Sequence, residues 1–281
     1  MAQHFYRLVN VFTCGTDALS GNPLCVFESG VAFDSATMQA LARQFNLSET
    51  TFILPSEKAD ARVRIFTPDY EMPFAGHPTL GTAQVCRALG LGGDSLRLEM
   101  QAGIIPVEAS GRSWRFQANA ASWREVAESR ETVAAMLGLD AADIAERPLW
   151  VKAGREQLIV PLASEVAVHR AAPRAEALAR MKSEDGSSMA YVFAFTGERR
   201  ILARFFFPSG ASLLEDPATG SATANLGGWM LALKRGVPGR FEISQGERIA
   251  RPSSLVLELD TERRIFVSGA VIELGRGALT L

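Results

Sequence analysis

Apolar and polar residues alternate over residues 5–13, turn at Leu19-Ser20-Gly21-Asn22-Pro23, and return as an apolar run over 24–27. That pattern predicts two strands joined by a turn. The period then lengthens. Met38, Leu41, Ala42 and Phe45 recur at helical spacing behind Ser35, which reads as the N-cap. Asn46-Leu47-Ser48 ends this helix, so Glu49 falls at a helix-to-strand junction just before the apolar run 51–54. A strand over 61–67, a helix over 78–89 stopped by Gly90, and strands over 96–100, 104–109 and 114–118 follow. The segment 123–147 reads as charged and helical, with a helix over 130–137 stopped by Gly138. Beyond it come strands at 149–152 and 157–160, a helix near 175–182, strands at 189–196 and 201–207, a helix over 221–234 closed by Gly236, and strands at 241–245, 255–259 and 265–274.

The second half repeats the order of the first. Arg64-Ile65-Phe66-Thr67-Pro68 is echoed by Arg204-Phe205-Phe206-Phe207-Pro208 at an offset of 140. Each copy leads through an acidic loop into a turn that opens an apolar helix. Aligning Gly76 of the first turn with Gly220 of the second moves the offset to 144 and pairs His77 with Ser221. The pattern does not alternate strand and helix throughout, as a doubly wound nucleotide fold would. It predicts an α+β protein of two pseudo-symmetric domains, 1–125 and 126–281, with the last strand free to return to the first domain. Each domain is expected to be a curved, mostly antiparallel sheet rolled around a central helix. The small residues Gly81, Thr82 and Ala83 suit a helix closely wrapped by other elements.

A length of 281 residues suits two such domains. The net charge of −2, with scattered Lys and Arg, leaves no electrostatic footprint for nucleic acid or an anionic membrane. The longest apolar stretches have strand length, and Gln3, His4, Arg7 and Asn10 interrupt the N-terminal residues, unlike a secretory signal. Cys14, Cys25 and Cys86 are odd in number and lack metal-ligand spacing, so they read as buried thiols of a cytoplasmic protein.

Chemistry concentrates at the two turns. A helix start offers N–H groups without intrahelical partners and a partial positive charge. Two such starts facing one cleft would hold a carboxylate or phosphate, though each taken alone is also an ordinary capped helix. Pro78 suits a first helical turn, and glycine at 76 and 220 lets backbone approach a ligand. No Walker loop, dinucleotide fingerprint, His-Glu-x-x-His, paired-cysteine metal pattern or Gly-x-Ser-x-Gly elbow is present. His77 can exchange a proton near neutrality or simply orient its turn. Asp216 can face a ligand or cap its helix, and Ser221 can donate a hydrogen bond to a bound anion. Glu49 is either an exposed strand-start residue or, if buried beside its apolar run, a carboxyl tuned to take and return a proton.

These residues resemble a known family. Gly21-Asn22-Pro23, Leu47-Ser48-Glu49-Thr50, Phe66-Thr67-Pro68 with Phe74-Ala75-Gly76-His77-Pro78-Thr79, and Glu215-Asp216-Pro217-Ala218-Thr219-Gly220-Ser221-Ala222 are similar to the signatures of the PhzF-like proteins of phenazine biosynthesis, in order and across nearly the whole chain. The resemblance implies the diaminopimelate epimerase-like fold, a homodimer, and no cofactor or metal. It implies isomerisation of a small carboxylate similar to trans-2,3-dihydro-3-hydroxyanthranilate, with Glu49, His77 and Asp216 catalytic and Ser48, Gly76, Gly220 and Ser221 binding substrate. Asn10 departs from the family, which commonly has aspartate there. The helix starts lack the cysteine pair of the epimerase relatives, which leaves two-thiol racemisation unsupported. A small-molecule-binding protein without turnover, or an epimerase of an amino-acid-like substrate, are the competing readings.

Overall fold

A computed structural model describes residues 2–210 and 212–281. The chain separates into two compact units, 1–117 with 268–281, and 118–267. The division falls before the charged segment where the sequence places the junction, and the final residues rejoin the first unit.

The first unit holds β1 (Gln3–Val11), β2 (Asn22–Phe27), α1 (Ser35–Phe45), β3 (Glu49–Leu54), β4 (Ala61–Phe66), β5 (Glu71–Met72), α2 (Gly76–Ala88), β6 (Ser95–Met100), β7 (Gly103–Ser110) and β8 (Ser113–Gln117). The second holds β9 (Ser122–Glu125), α3 (Arg130–Met136), β10 (Leu149–Lys152), β11 (Glu156–Pro161), α4 (Glu165–Arg170), α5 (Ala175–Leu178), β12 (Ala190–Gly197), β13 (Arg200–Ser209), β14 (Ser212–Asp216), α6 (Gly220–Ala232), β15 (Gly239–Gln245) and β16 (Ser253–Leu259). A long last strand, β17 (Ile265–Thr280), starts in the second unit and ends in the first.

In the first unit β1 pairs antiparallel with β2, β2 runs parallel to β3, β3 pairs antiparallel with β4, and β4 runs parallel to β6. β6, β7 and β8 form antiparallel hairpins, β17 pairs with β8, and β17 also pairs antiparallel with β1. The sheet thus closes into a roll. α2 lies against six of its strands and is buried along ten of its residues, from Gly76 to Cys86. A helix wrapped on all sides needs small residues, and Gly81 supplies one. A methyl group there would sit 2.6 Å from Leu24 Cδ2. Outside the roll, α1 packs on a cluster in which Phe27 and Phe52 stack at 4.8 Å.

The second unit repeats this plan. β11 runs parallel to β12 and β13 parallel to β15, among antiparallel pairs β9–β10, β10–β11, β12–β13 and β15–β16. α6 packs on β9, β10, β11 and β16. Close approach again falls on glycine: a methyl on Gly228 would lie 2.6 Å from Val151 Cγ1 and 2.7 Å from Ala121 Cβ.

Several local expectations change. The cap of α1 is Asp34, whose carboxylate accepts from Thr37 N, while Ser35 is the first helical residue. The helix placed near 175–182 is only the single turn of α5, with α4 preceding it. The short strands β5, β9 and β14 also appear where loop or helix is expected. They are two to five residues long, too short for periodicity to register.

Candidate active site

The helix-to-strand junction of the first unit sets Glu49. α1 ends on Asn46, which takes the left-handed conformation at φ 50° and returns its N–H to Ala42 O. The chain bends through exposed Ser48, and Glu49 is the first residue of β3, opposite Leu24 in the parallel register. Its side chain is 15% exposed, and Oε2 lies 3.3 Å from His77 Nε2.

His77 is the second residue of α2. This helix follows Ala75 in extended conformation, and no side chain caps it. The first turn carries no acidic residue, so its N–H groups and partial positive charge have no side-chain counterpart on the helix itself. The imidazole is buried. Burial drives its pKa from the ordinary 6.5 down to about 3, against the opposing pull of a hydrogen bond to the Pro23 backbone. Proline has only a carbonyl to offer, so a ring N–H donates to it. Since Nε2 faces Glu49, Nδ1 is the nitrogen that carries the hydrogen, and neutral His77 turns the Nε2 lone pair toward the carboxyl group. That lone pair can accept from the acid form of a carboxyl group and has nothing to give the ionised form.

The mouth of α6 is built from the same loop with different side chains. Thr219 precedes Gly220 in extended conformation and again no side chain caps the helix. The Thr219 hydroxyl instead donates to Asp216 Oδ2 at 2.5 Å and accepts from Gln245 Nε2 at 2.9 Å. Gln245 also donates to the Asp216 carbonyl at 2.9 Å, so Asp216 is held through both its side chain and its backbone. Ser221, half-buried, accepts from Gln157 Nε2 at 3.0 Å.

A matched clamp anchors both loops. Arg64 on β4 donates from Nε and Nη2 to the two oxygens of Glu71 on β5, at 2.7 and 2.6 Å. Arg204 on β13 does the same to Glu215 on β14, at 3.0 and 2.7 Å. Each guanidinium also lies over the phenylalanine two residues on, Phe66 at 4.9 Å and Phe206 at 4.7 Å. Bidentate pairing fixes the direction in which each hairpin delivers the chain to its helix.

The expected residues therefore gather in two sets. Glu49, His77 and Gly76, with Ser48 beside them in sequence, meet at the start of α2. Asp216, Gly220 and Ser221 meet at the start of α6. Sequence reading missed Gln157, Asn225, Gln245 and the two clamps. The repeat held a signal for the clamps, because Glu71 and Glu215 share the 144-residue offset of Gly76 and Gly220. Asn225 in a helix otherwise made of small and apolar residues was the visible sign of the amide network.

Of the three cysteines expected to be buried, Cys14 is only half-buried. Cys25 and Cys86 are fully buried, and burial pushes both thiols up, Cys86 to about 12. Among the described residues, no three His, Cys, Asp or Glu side chains come together as a metal-binding group, and no helix is long and apolar enough to cross a membrane.

The model of the phenazine biosynthesis-like proteins matches residues 9–275. The chain belongs to that family. It is 37% identical to an uncharacterized isomerase of Pasteurella multocida, over 99% of this chain and 95% of that one. It is 35% identical to the trans-2,3-dihydro-3-hydroxyanthranilate isomerase of Pseudomonas aeruginosa, over 90% of this chain and 89% of the relative. The crystal structure of a Bacillus anthracis phenazine biosynthesis protein of the PhzF family superposes with a TM-score of 0.87 at 25% identity, over the full length of both chains. A probable proline racemase from Agrobacterium radiobacter, at 13% identity and a TM-score of 0.69 over 99% of this chain and 93% of that one, shares the fold alone. This member of the phenazine biosynthesis-like family is accordingly an enzyme of the isomerase class, on the epimerase-like fold expected from the sequence.

Proposed function

We propose that this protein is a cofactor-independent isomerase of a small carboxylate, with Glu49 as the single acid/base. The ionised carboxyl group takes the proton of a C–H bond. The electron pair of that bond moves along an adjoining double bond, and the acid form of Glu49 delivers the proton to the far carbon. Atoms and electrons are the same at start and end, so the step calls for no electron carrier. Neutral His77 supports it by accepting a hydrogen bond at Nε2 while Glu49 holds the proton. Gly76, Gly220, Ser48 and Ser221 are assigned to the substrate carboxylate and to the negative charge that develops as the proton leaves. Asp216, immobilised by Thr219, is assigned to orienting a polar group of the substrate.

The observation that carries this reading is the asymmetry of the two units. Thr50 stands opposite Phe66 in the first and Ala190 opposite Phe206 in the second, which carries the 140-residue offset of Arg64 and Arg204 into these strands. Met189, which cannot carry a proton, thus stands where the counterpart of Glu49 would be. A racemase working from two sides needs a proton carrier on each, whereas a shift within one molecule needs one that gives back what it took. The substrate named for the Pseudomonas relative is itself a carboxylate, which agrees with two uncapped helix starts. A homodimer and a cytoplasmic setting belong to the same proposal.

The experiment is incubation of the protein with trans-2,3-dihydro-3-hydroxyanthranilate in deuterated buffer. An isomer with the proton or a deuteron at a new carbon is the expected result. Recovery of the unchanged, unlabelled compound from a protein that binds it would favour a binding protein without turnover.

A further inference from the structure

We infer that Gln157, oriented by Asn225, is a positioning residue that fixes Ser221 as a hydrogen-bond donor to the carboxylate of the substrate. The inference deepens the proposed function and rests on its assignment of Ser221 to substrate.

The direction of every hydrogen bond in this network follows from one backbone group. The Ala153 N–H can only donate, and it reaches Asn225 Oδ1 at 2.7 Å. The side-chain oxygen of Asn225 is therefore identified, and its amide nitrogen is the atom that bonds the Arg155 carbonyl at 2.9 Å and Gln157 Oε1 at 2.8 Å. Gln157 must then present its amide nitrogen to Ser221, donating to Oγ at 3.0 Å. With a lone pair of Oγ engaged, the Ser221 proton is directed away from Gln157. Asn225 and Gln157 are 0% and 2% exposed, so water does not compete for this order.

The two helix mouths end with opposite polarity as a result. His77 donates to the backbone of Pro23 and is left with an acceptor. Ser221 accepts from Gln157 and is left with a donor. Gly81 stands where Asn225 does at the 144-residue offset, so the first unit has no counterpart of this amide. A donor is the polarity an anion requires, and a hydroxyl free to rotate would supply it only part of the time.

Gln157→Glu tests the inference, because the change preserves shape and reverses polarity. The introduced carboxyl group, once ionised, accepts from Ser221 and draws its proton inward, whereas its protonated form donates as the amide did. The probe is trans-2,3-dihydro-3-hydroxyanthranilate, with affinity measured calorimetrically in the Glu49→Gln background so that no turnover intervenes. At about pH 8, Gln157→Glu is expected to bind roughly 10- to 100-fold more weakly, the worth of one hydrogen bond to a charged group. Affinity is expected to recover toward about pH 5, where a buried carboxyl group takes up its proton. In a Ser221→Ala background the Gln157→Glu change should have no further effect. A pH-independent loss, or an equal loss with and without Ser221, would assign Gln157 a packing role only and overturn the inference while leaving the proposed function standing. Unchanged affinity in Gln157→Glu would overturn it likewise. Absence of binding by the Gln157-containing protein would overturn the proposed function and this inference together.

Discussion

His77 Nε2 stands 3.3 Å from Glu49 Oε2, at the mouth of a helix that no side chain caps. The pair joins a group that burial holds neutral to a carboxyl group that can gain and lose a proton. The first consequence is a pH dependence of stability. The folded-state pKa of His77, about 3, lies below the ordinary 6.5 of the unfolded chain, so the unfolded state binds more protons between these values. Stability is complete above about pH 6.5 and is lost as pH falls toward about 3, by on the order of 1 kcal/mol per pH unit. Denaturant unfolding of Glu49→Gln at several pH values isolates the histidine. The further change His77→Gln should flatten the dependence, and an unaltered slope would assign it elsewhere.

The Arg204–Glu215 pair gives a second test. Its members are 10% and 8% exposed at the side chain, and Arg204 Nη1 also donates to the Val168 and Ala171 carbonyls at 3.1 and 2.6 Å. Arg204→Met strands a buried carboxylate and three carbonyl acceptors, counting that of His169. A loss of about 3–5 kcal/mol is expected. Adding Glu215→Leu should recover part of it, because the stranded charge is then gone. Additive losses in the double variant would show that the two residues do not act as a pair.

Close packing of the second central helix is tested at Gly228. Gly228→Ala places a methyl against the Val151 side chain and the immovable Cβ of Ala121. Overpacking of roughly 1–3 kcal/mol should outweigh a helix-propensity gain of up to about 1 kcal/mol. Gly93→Ala, where nothing lies within 4 Å, should change stability by less than about 0.5 kcal/mol. Equal effects at the two glycines would contradict the tight wrapping.

The thiols supply a further expectation. With Cys25 and Cys86 buried and shifted up, iodoacetamide should leave both unmodified in the folded protein and leave turnover intact. Inactivation by a thiol reagent would revive an epimerase that uses cysteine.

Much of this was legible in the sequence because it is local or repeated. The Gly76 and Gly220 turns, the strand-start position of Glu49 and the small-residue helices all leave marks within a few residues. What was not legible depends on residues far apart in the chain. Gln157 reads as a polar interruption of an apolar strand until Asn225, 68 residues on, is seen to orient it. The Asp216–Thr219–Gln245 lock closes only through a strand that follows the helix. The partial parallel character of each sheet, between β2 and β3 and between β4 and β6, was hidden because crossovers leave no turn signal of their own. The change of cap from Ser35 to Asp34 turned on one backbone angle, ψ 171° at Asp34.

Replacement of Glu49 by glutamine tests the central claim most directly. The amide keeps the size of the side chain and cannot accept a proton from carbon. Turnover of trans-2,3-dihydro-3-hydroxyanthranilate should fall by about 10²- to 10⁴-fold while the variant folds and unfolds as a single cooperative protein. Turnover equal to that of the unmodified protein would remove Glu49 from the chemistry.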